Sequence, residues 1–256
     1  ISLQGVRLTK AHLGETVLVI GLGLVGQFAV AILRAAGCRV LAADPDKSRC
    51  SLARTMGAEV AETHLSAADV ECLTGGIGAD AVIIAASTES NHPITFAAEA
   101  VRRKGRIVLV GVVGLELDRR PFYFKEAEFV VSCSYGPGRY QADYEQLGRD
   151  YPPAYVRWTE QRNMAAVLEL IASGKLDVSP LISHRYDIDD AERAYELIDK
   201  KTEPFIGIIF DYPGWTTAGA DRRIEFADTP ARSGHIGVGV LGTGAFATSV
   251  LLPKIQ

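Results

Sequence analysis

A glycine-rich turn between two apolar segments constrains the fold of this chain more than any other feature. The turn reads Gly21-Leu-Gly-Leu-Val-Gly26. The segment before it, Thr16–Ile20, is a short β-branched run typical of a buried parallel strand. The segment after it, Leu24–Gly37, is almost wholly apolar and has the pattern of a helix covered on several sides. A strand, a glycine-rich turn and a buried helix in this order predict a dinucleotide-binding unit.

The spacing of the three glycines has a physical reason. Gly21 allows a tight turn, Gly23 lets a pyrophosphate approach the backbone, and Gly26 lets the helix pack closely on the strand. The first helical amides, those of Leu24 and Val25, would then face the phosphates, and the helix dipole would favour their negative charge. The alternative is a glycine-rich turn in an α/β protein that binds no ligand.

An acidic residue lies where such a site needs one. Asp44 follows the second predicted strand, Arg39–Ala43, and is 18 residues past Gly26. A carboxylate there can accept hydrogen bonds from both hydroxyls of the adenosine ribose. The alternative is an exposed turn, since Asp-Pro-Asp is also ordinary turn sequence. Arg49 is near enough to meet a 2′-phosphate, but Asp44 would repel that group, so the pattern favours NAD over NADP.

Strand and helix patterns continue to alternate beyond Asp44. The next predicted elements are a helix at Lys47–Met56, strands near Ala81–Ala85 and Arg106–Val110, and a helix between them around Pro93–Val101. This alternation predicts an α/β fold with a doubly wound parallel sheet of the Rossmann type. Four residues at the ends of the later strands are expected near the nicotinamide half of the cofactor: Ser87, Thr88, Gly111 and Val112.

The pattern is less regular in the second half of the chain. The predicted elements there are a strand at Phe129–Ser134, a loop with a short helix at Gly136–Arg157, helices at Glu160–Ser173 and Asp187–Lys200, and a closing strand at Phe205–Phe210. The first of these two helices is amphipathic, with Met164, Val167, Leu168 and Ile171 on one face.

The last part of the chain predicts a change of domain. Residues 1–211 form the predicted dinucleotide-binding domain, and 212–235 have the composition of a linker. Ile236–Leu241 resembles a new strand and is followed by a second glycine-rich turn, whose candidate cofactor-binding residues are Gly242, Gly244 and Ala247. One strand and one helix cannot bury their own apolar faces. Residues 236–256 are therefore expected to be the truncated start of a second dinucleotide-binding domain.

Several segments together have the pattern of a known family. They are Gly5-Val-Arg7, Gly14–Gly26, Asp44, Gly57-Ala58 and Gly105–Gly111. Over about residues 1–211 they resemble the cofactor domain of the medium-chain (zinc-type alcohol) dehydrogenases. The resemblance implies a Rossmann-type fold and hydride transfer between an alcohol or sugar carbon and a nicotinamide cofactor.

The same resemblance implies a GroES-like catalytic domain before the cofactor domain. In zinc-dependent members that domain and its junction carry the metal ligands, so a zinc site is implied for no residue of this chain. The catalytic residues stay unassigned for the same reason. The chain by itself is expected to be inactive or nearly so, because it lacks the groups that transfer the alcohol proton.

The second glycine-rich turn carries another resemblance. Ile236-Gly-Val-Gly-Val-Leu-Gly-Thr-Gly-Ala-Phe-Ala247 resembles the opening of the glucose–fructose oxidoreductase and inositol dehydrogenase-like family. With both resemblances, the parent protein is expected to be a bidomain enzyme with two dinucleotide sites that acts on sugars or polysaccharide precursors.

Composition argues against several other functions. A net charge of −4 and a pI near 5.8 provide no basic surface for nucleic acid. Val17–Leu33 is apolar enough to suggest a membrane span, but three glycines interrupt it. The four cysteines form no CxxC pair and are typical of reduced thiols in a cytoplasmic protein. The Tyr-x-x-x-Lys pattern of short-chain dehydrogenases is also absent from the sequence.

Two functions stay open on the sequence alone. One is an NAD-dependent dehydrogenase acting on a small alcohol or sugar, as a monomer or a homo-oligomer. The other is a non-catalytic module that binds a nucleotide. Tyr135, Tyr140 and Tyr144 likewise allow two interpretations, the lining of a substrate cleft or packing within an insert.

Overall fold

The computed structural model describes residues 1–213, 240–242, 244–245 and 247–254. The chain divides into two units, 1–212 and 213–256. This division falls next to the predicted boundary after residue 211. The predicted linker at 212–235 and the predicted strand at Ile236–Leu241 lie mostly outside the described residues, so both assignments stay predictions.

A six-stranded parallel sheet forms the centre of the first unit. Its strands are β1 (Thr16–Ile20), β2 (Arg39–Ala43), β3 (Val60–Glu62), β4 (Ala79–Ile84), β5 (Val101–Leu109) and β6 (Glu128–Val131). Their order across the sheet is β3-β2-β1-β4-β5-β6, and every neighbouring pair is parallel. This is the strand order of the Rossmann fold, so the predicted doubly wound sheet is confirmed.

Helices cover both faces of this sheet. They are α1 (Ser2–Thr9), α2 (Leu24–Ala35), α3 (Lys47–Thr55), α4 (Ala67–Leu73), α5 (His92–Ala100), α6 (Arg119–Lys125), α7 (Ala142–Glu145), α8 (Glu160–Ala172) and α9 (Ala191–Lys200). Strand side chains alternate between two buried clusters: Val17 and Val19 of β1 pack in one with α2 and α3, and Leu18 packs in the other with α4 and α5. All five β1 residues are buried, which agrees with the apolar run from Val17 to Ile20.

Most predicted elements are present, with shifted ends. The helix predicted at Leu24–Gly37 ends at Ala35, because Gly37 adopts a left-handed φ of 83° that closes the turn. The strand predicted at Phe129–Ser134 ends at Val131. The short elements α1, β3, α4 and α6 were not predicted, since they are too brief to repeat a helical or strand period.

A separate two-stranded parallel sheet closes the first unit. It pairs β7 (Ile182–Asp187) with β8 (Gly207–Asp211). The prediction of a helix from Asp187 is therefore wrong at its start, because Asp187 ends a strand and a 3₁₀ turn, Ile188–Asp190, precedes α9. The local sequence pattern could not predict β7, since this segment is a strand only through its pairing with β8.

The apolar face predicted on α8 is only partly covered. Met164, Leu168 and Ile171 are exposed within the described part of the chain, while Val167 packs against the core. The periodicity predicted the helix correctly but could not say how much of this face the rest of the chain covers. Within the described residues, no helix combines the length and apolarity needed to cross a membrane.

Candidate functional site

A cleft of about 470 Å³ opens at the carboxyl edge of the six-stranded sheet. It lies where β1 is flanked by β2 on one side and β4 on the other, which is the point where the strand order reverses. Residues that follow these three strands line it, including Gly21, Gly23, Asp44, Arg49, Ser87 and Thr88. The structure thus brings together six of the residues that the sequence selected from separate segments.

The three glycines of the turn differ in what surrounds them. Gly21 has a φ of 91°, and a Cβ there would lie 2.4 Å from the amide nitrogen of Ala86. A Cβ on Gly26 would lie 1.9 Å from the carbonyl oxygen of Gly21. A Cβ on Gly23, in contrast, would meet no atom within 4 Å among the described residues and would extend a residue that lines the cleft. The fold itself requires glycine at 21 and 26 but not at 23.

The N-terminus of α2 is open toward a ligand. Gly23 is its N-cap residue, so no side chain there accepts a hydrogen bond from the first amides. These amides have no partner inside the helix either, because the first helical N–H groups never do. Leu24, the first residue of α2, is 41% exposed. The Ser2 hydroxyl donates a hydrogen bond to the carbonyl oxygen of Val25, the second residue, at 2.9 Å. The end of this helix can therefore bind an anion.

Asp44 is buried and holds the turn in place. Its side chain is 5% exposed. One carboxylate oxygen accepts from the Leu22 amide at 2.7 Å, and the other accepts from the Asp46 amide at 2.9 Å. Asp44 is therefore not exposed, although the bond from the Asp46 amide is the Asx-turn pattern that the alternative of an ordinary turn expects. Each carboxylate oxygen has a second lone pair, so acceptor capacity remains on the side that lines the cleft.

Arg49 adds positive charge beside two carboxylates. Its guanidinium lies 3.9 Å from Asp44 and 3.8 Å from Asp46, and its side chain is 41% exposed. Asp46 caps α3 by accepting from the amides of Ser48 and Arg49. The Ser48 hydroxyl, more than any other neighbour, lowers the pKa of Asp46 by donating to its carboxylate. This end of the cleft therefore has two carboxylates and one partly solvated cation.

The four residues expected near the nicotinamide half come together. Ser87 and Val112 form an isolated parallel bridge, and the Thr88 amide donates to the Val112 carbonyl at 2.9 Å. The Gly111 amide donates to the carbonyl of Ile84. Ser87 and Thr88 line the cleft, whereas Gly111 and Val112 are not part of its lining, and Val112 is 74% exposed.

Several residues that line the cleft could not be selected from the sequence. They are Thr63, Leu65, Ser90, His92, Pro93 and Phe96, which come from the loops before α4 and α5 and from α5 itself. Their individual types have no characteristic spacing. Only the parallel arrangement of β1, β3 and β4 brings these loops to one edge.

Gln27 is a further residue whose role could not be predicted from the sequence. It is completely buried in α2, and its amide nitrogen donates to the carbonyls of Leu22 at 3.1 Å and Arg49 at 2.9 Å. It therefore ties the glycine-rich turn to the first turn of α3. The available signal was its polarity in a helix whose one other strongly polar residue is Arg34.

Gln27→Leu should lower the free energy of unfolding by about 1 to 3 kcal/mol, because the carbonyls of Leu22 and Arg49 lose their side-chain donor. Removal of the buried Gln27 Oε1, which has no hydrogen-bond partner among the described residues, offsets part of this loss. Chemical denaturation measures this change. Gln146→Leu, at an exposed position, is the matched control and should leave stability within about 0.5 kcal/mol. Equal stability of the two variants would show that the Gln27 contacts contribute nothing.

The second glycine-rich turn belongs to the other unit. Gly242 has a φ of 82°, and neither Gly242 nor Gly244 has a neighbour within 4 Å of the Cβ position among the described residues. Ala247 is buried and begins a helical segment, Ala247–Leu251. Across the described parts of both units, no cluster of three histidine, cysteine or acidic residues is arranged to hold a metal ion.

One family model matches the middle part of the chain. Residues 25–149 match the family model described as zinc-binding dehydrogenase. This confirms the predicted resemblance to the zinc-type dehydrogenases over that range. The match stops at residue 149, so the resemblance of 236–247 to glucose–fructose oxidoreductases has no support from it and stays a prediction.

Two curated relatives are sugar-related dehydrogenases. The 2-dehydro-3-deoxy-L-galactonate 5-dehydrogenase of Pseudoalteromonas atlantica is 28% identical over 78% of this chain and 52% of its own length. The D-guloside 3-dehydrogenase of Escherichia coli K12 is 29% identical over 82% of this chain and 59% of its own length. The chain thus spans between half and three fifths of these relatives.

A solved structure supports the fold independently. A protein described as a short chain alcohol dehydrogenase of Escherichia coli CFT073, solved with NADH, superposes with a TM-score of 0.63 at 19% identity. The match covers 82% of this chain and 56% of that one. At this identity the likeness shows a common fold.

Proposed function

We propose that this chain is the dinucleotide-binding part of an oxidoreductase that transfers a hydride between an alcohol or sugar carbon and NAD. The single observation that carries the proposal is Gly23. The fold does not require a glycine there, yet its absent side chain leaves the cleft open directly before the free amides of α2. A pyrophosphate that approaches the backbone is the physical reason for a glycine at this position.

Each candidate cofactor-binding residue then has a defined task. The amides of Leu24 and Val25 would bind the pyrophosphate, and Asp44 would accept hydrogen bonds from the adenosine ribose. Ser87 and Thr88 would contact the nicotinamide half, and Gly111 and Val112 would shape the neighbouring strand end. When bound, the cofactor supplies the hydride acceptor, and these residues orient it.

The dehydrogenase is favoured over a non-catalytic module. The family model and both curated relatives are named as dehydrogenases, and the two relatives act on sugar derivatives by their names. A small alcohol or sugar is accordingly the proposed substrate class. The direct test is NAD reduction by the full-length protein with a panel of polyols and sugars, and the absence of any turnover would favour the module.

The remaining expectations concern the parts that surround this domain. We propose that any zinc ligands lie outside the described residues. We also propose that 236–256 begin a second dinucleotide site through Gly242, Gly244 and Ala247. The four free thiols, two of them buried, support a reducing compartment such as the cytoplasm.

The cofactor should be NAD rather than NADP. A 2′-phosphate would replace one ribose hydroxyl and bring negative charge against Asp44, while Arg49 is partly solvated and already faces two carboxylates. A charge-assisted bond is worth about 1.5 to 3 kcal/mol, so NADH should bind about tenfold more tightly than NADPH, or better. Fluorescence titration with each reduced cofactor measures the ratio, and equal or tighter NADPH binding would contradict the proposal.

Asp44→Ser should reduce the preference for NADH over NADPH. It should also lower the free energy of unfolding, because the amides of Leu22 and Asp46 lose their acceptors. Asp46→Ser is the matched control: it removes the other carboxylate near Arg49 but keeps a residue that can cap α3. Asp46→Ser should leave the preference for NADH over NADPH nearly unchanged. If Asp44→Ser leaves the preference unchanged as well, Asp44 is not the ribose ligand.

A further inference from the structure

Two arginines lie against one tryptophan where the chain enters α8. The Arg7 guanidinium carbon, from α1, lies 3.3 Å from the ring centroid of Trp158, and that of Arg157 lies 3.9 Å from a centroid of the same side chain. The face of an indole ring attracts each cation, but the two like charges repel each other. Among the described residues, no carboxylate lies within 4.0 Å of either guanidinium. The two cations therefore lack a compensating anion in this part of the structure.

Arg7 is partly buried and held in one orientation. Its Nε donates to the Oδ1 of Asn163 at 2.8 Å, and Asn163 is itself buried. The N–H groups on Nη1 and Nη2 have no hydrogen-bond acceptor among the described residues. Burial, and after it the charge of Arg157, lowers the pKa of Arg7 to about 10, so Arg7 is still charged at neutral pH. Such a fixed fork of donors matches the geometry of a carboxylate.

A groove of about 570 Å³ opens beside Arg7. It lies between α1, the last turn of α2, and α8. Aliphatic side chains from all three helices form most of its walls, among them Leu3, Val6, Ile32, Ala35 and Leu170. Val6 and Leu170 also pack against the core, so these walls belong to the folded body of the domain. The groove can therefore bury a hydrocarbon chain.

The charged residues of the lining are Arg7, Lys10 and Glu169. Within the described part of the chain, neither Lys10 nor Glu169 forms an ion pair. Glu169 is six residues beyond Asn163, so it lies about 9 Å farther along α8 than the contact that fixes Arg7. The lining has an excess of one positive charge, and Arg157 adds another beside it. The end of the groove at Arg7 therefore attracts an anion and repels a cation.

An aliphatic carboxylate matches both parts of the groove. Its carboxylate accepts from the free donors of Arg7, and its hydrocarbon chain covers the aliphatic walls, which contributes roughly 25 cal/mol per Å² buried. Inorganic phosphate would leave these walls in contact with water. A neutral alcohol of the same length would leave the guanidinium without an anion.

The groove is separate from the dinucleotide cleft, because the two share no lining residue. The cleft includes Gly23, before the first turn of α2, whereas the groove includes Ala35 at the last turn. Twelve residues of helix correspond to about 18 Å. A ligand in the groove thus does not contact the amides proposed to bind the cofactor.

We propose that the groove between α1, α2 and α8 is a binding site for an aliphatic carboxylate. Arg7 and Lys10 bind the carboxylate, and Leu3, Ile32 and Leu170 contact the hydrocarbon chain. This site does not depend on the function proposed above.

The test is isothermal titration calorimetry of the 256-residue chain with octanoate, 1-octanol, octylamine and inorganic phosphate. Octanoate should bind, and each of the other three should bind at least tenfold more weakly, since each lacks either the negative charge or the hydrocarbon chain. No binding of octanoate would overturn the proposal. Equal binding of 1-octanol or octylamine would show that Arg7 does not select an anion, and equal binding of phosphate would show that the aliphatic walls contribute nothing. Either result would also overturn it.

The first pair of variants tests the charge. Arg7→Gln should weaken octanoate binding at least tenfold, because it removes the charge-assisted hydrogen bonds. Arg103→Gln is the matched control at an exposed position outside the groove, and it should bind octanoate as wild type does. If the two variants bind octanoate equally, Arg7 is not the ligand of the carboxylate and the proposal fails.

The second pair tests the groove without removing the Arg7 contacts. Ala36 is exposed at the end of α2 and lines the groove, so Ala36→Phe should fill it and weaken octanoate binding at least tenfold. Ala68→Phe adds the same ring at an exposed position of α4 outside the groove and should have no effect. Thermal unfolding shows whether each variant is folded. Equal octanoate binding by Ala36→Phe and Ala68→Phe would place the ligand elsewhere and overturn the proposal.

Discussion

Gly23→Val should leave the fold intact and weaken NADH binding at least a hundredfold. The new side chain would meet no atom within 4 Å of its Cβ position in the described structure, so it fits without a clash. It would instead occupy the part of the cleft that lies before the amides of Leu24 and Val25. Losing two hydrogen bonds to a charged pyrophosphate costs about 3 to 6 kcal/mol, and 2.8 kcal/mol already corresponds to roughly a hundredfold.

The measurement is a fluorescence titration with NADH, combined with thermal unfolding of the same sample. Valine is a poorer helix N-cap than glycine, so a decrease in stability of up to about 1 kcal/mol is expected and does not affect the conclusion. Gly23→Ala should give a smaller loss of affinity, because only one carbon enters the cleft. Normal NADH binding by Gly23→Val would remove the main support for the dinucleotide site.

Gly26→Ala, unlike Gly23→Val, should cause a large decrease in the free energy of unfolding. Its Cβ would lie 1.9 Å from the carbonyl oxygen of Gly21 and 3.0 Å from the carbonyl carbon. Both atoms belong to the backbone of the turn, so either α2 or the turn must move away from its packed position. Overpacking of this kind costs about 3 kcal/mol at the upper end of its usual range. We expect the melting temperature to fall by roughly 6 to 12 °C.

Thermal unfolding in the absence of cofactor measures this change directly. Gly23→Ala is the matched control, since it adds the same methyl group three residues away at a position with free space. It should melt within a few degrees of wild type. If the two alanine variants melt together, the close approach of α2 to the turn is not what fixes glycine at position 26.

The strand–turn–helix unit could be predicted from sequence because its determinants are local. The β-branched run at Thr16–Ile20 and the turn at 21–26 are read within a few residues of each other, and their roles follow from backbone geometry. Alternation of strand and helix patterns was enough to predict a parallel sheet, because parallel strands need crossover connections. The order of the strands followed only from the fold type and not from any residue.

The residues of the candidate site divide in the same way. The sequence by itself determined the glycine-rich turn, the acidic residue Asp44 after β2 and the short polar segment Ser87–Thr88 after β4, because each begins within three residues of the end of a strand. The tertiary structure alone decided that Asp44 is buried between two backbone amides and that Gln27 joins the turn to α3. It also decided that Tyr135 and Arg139 meet at Glu145. These contacts depend on where separate segments meet in space, and no spacing along the chain encodes that distance.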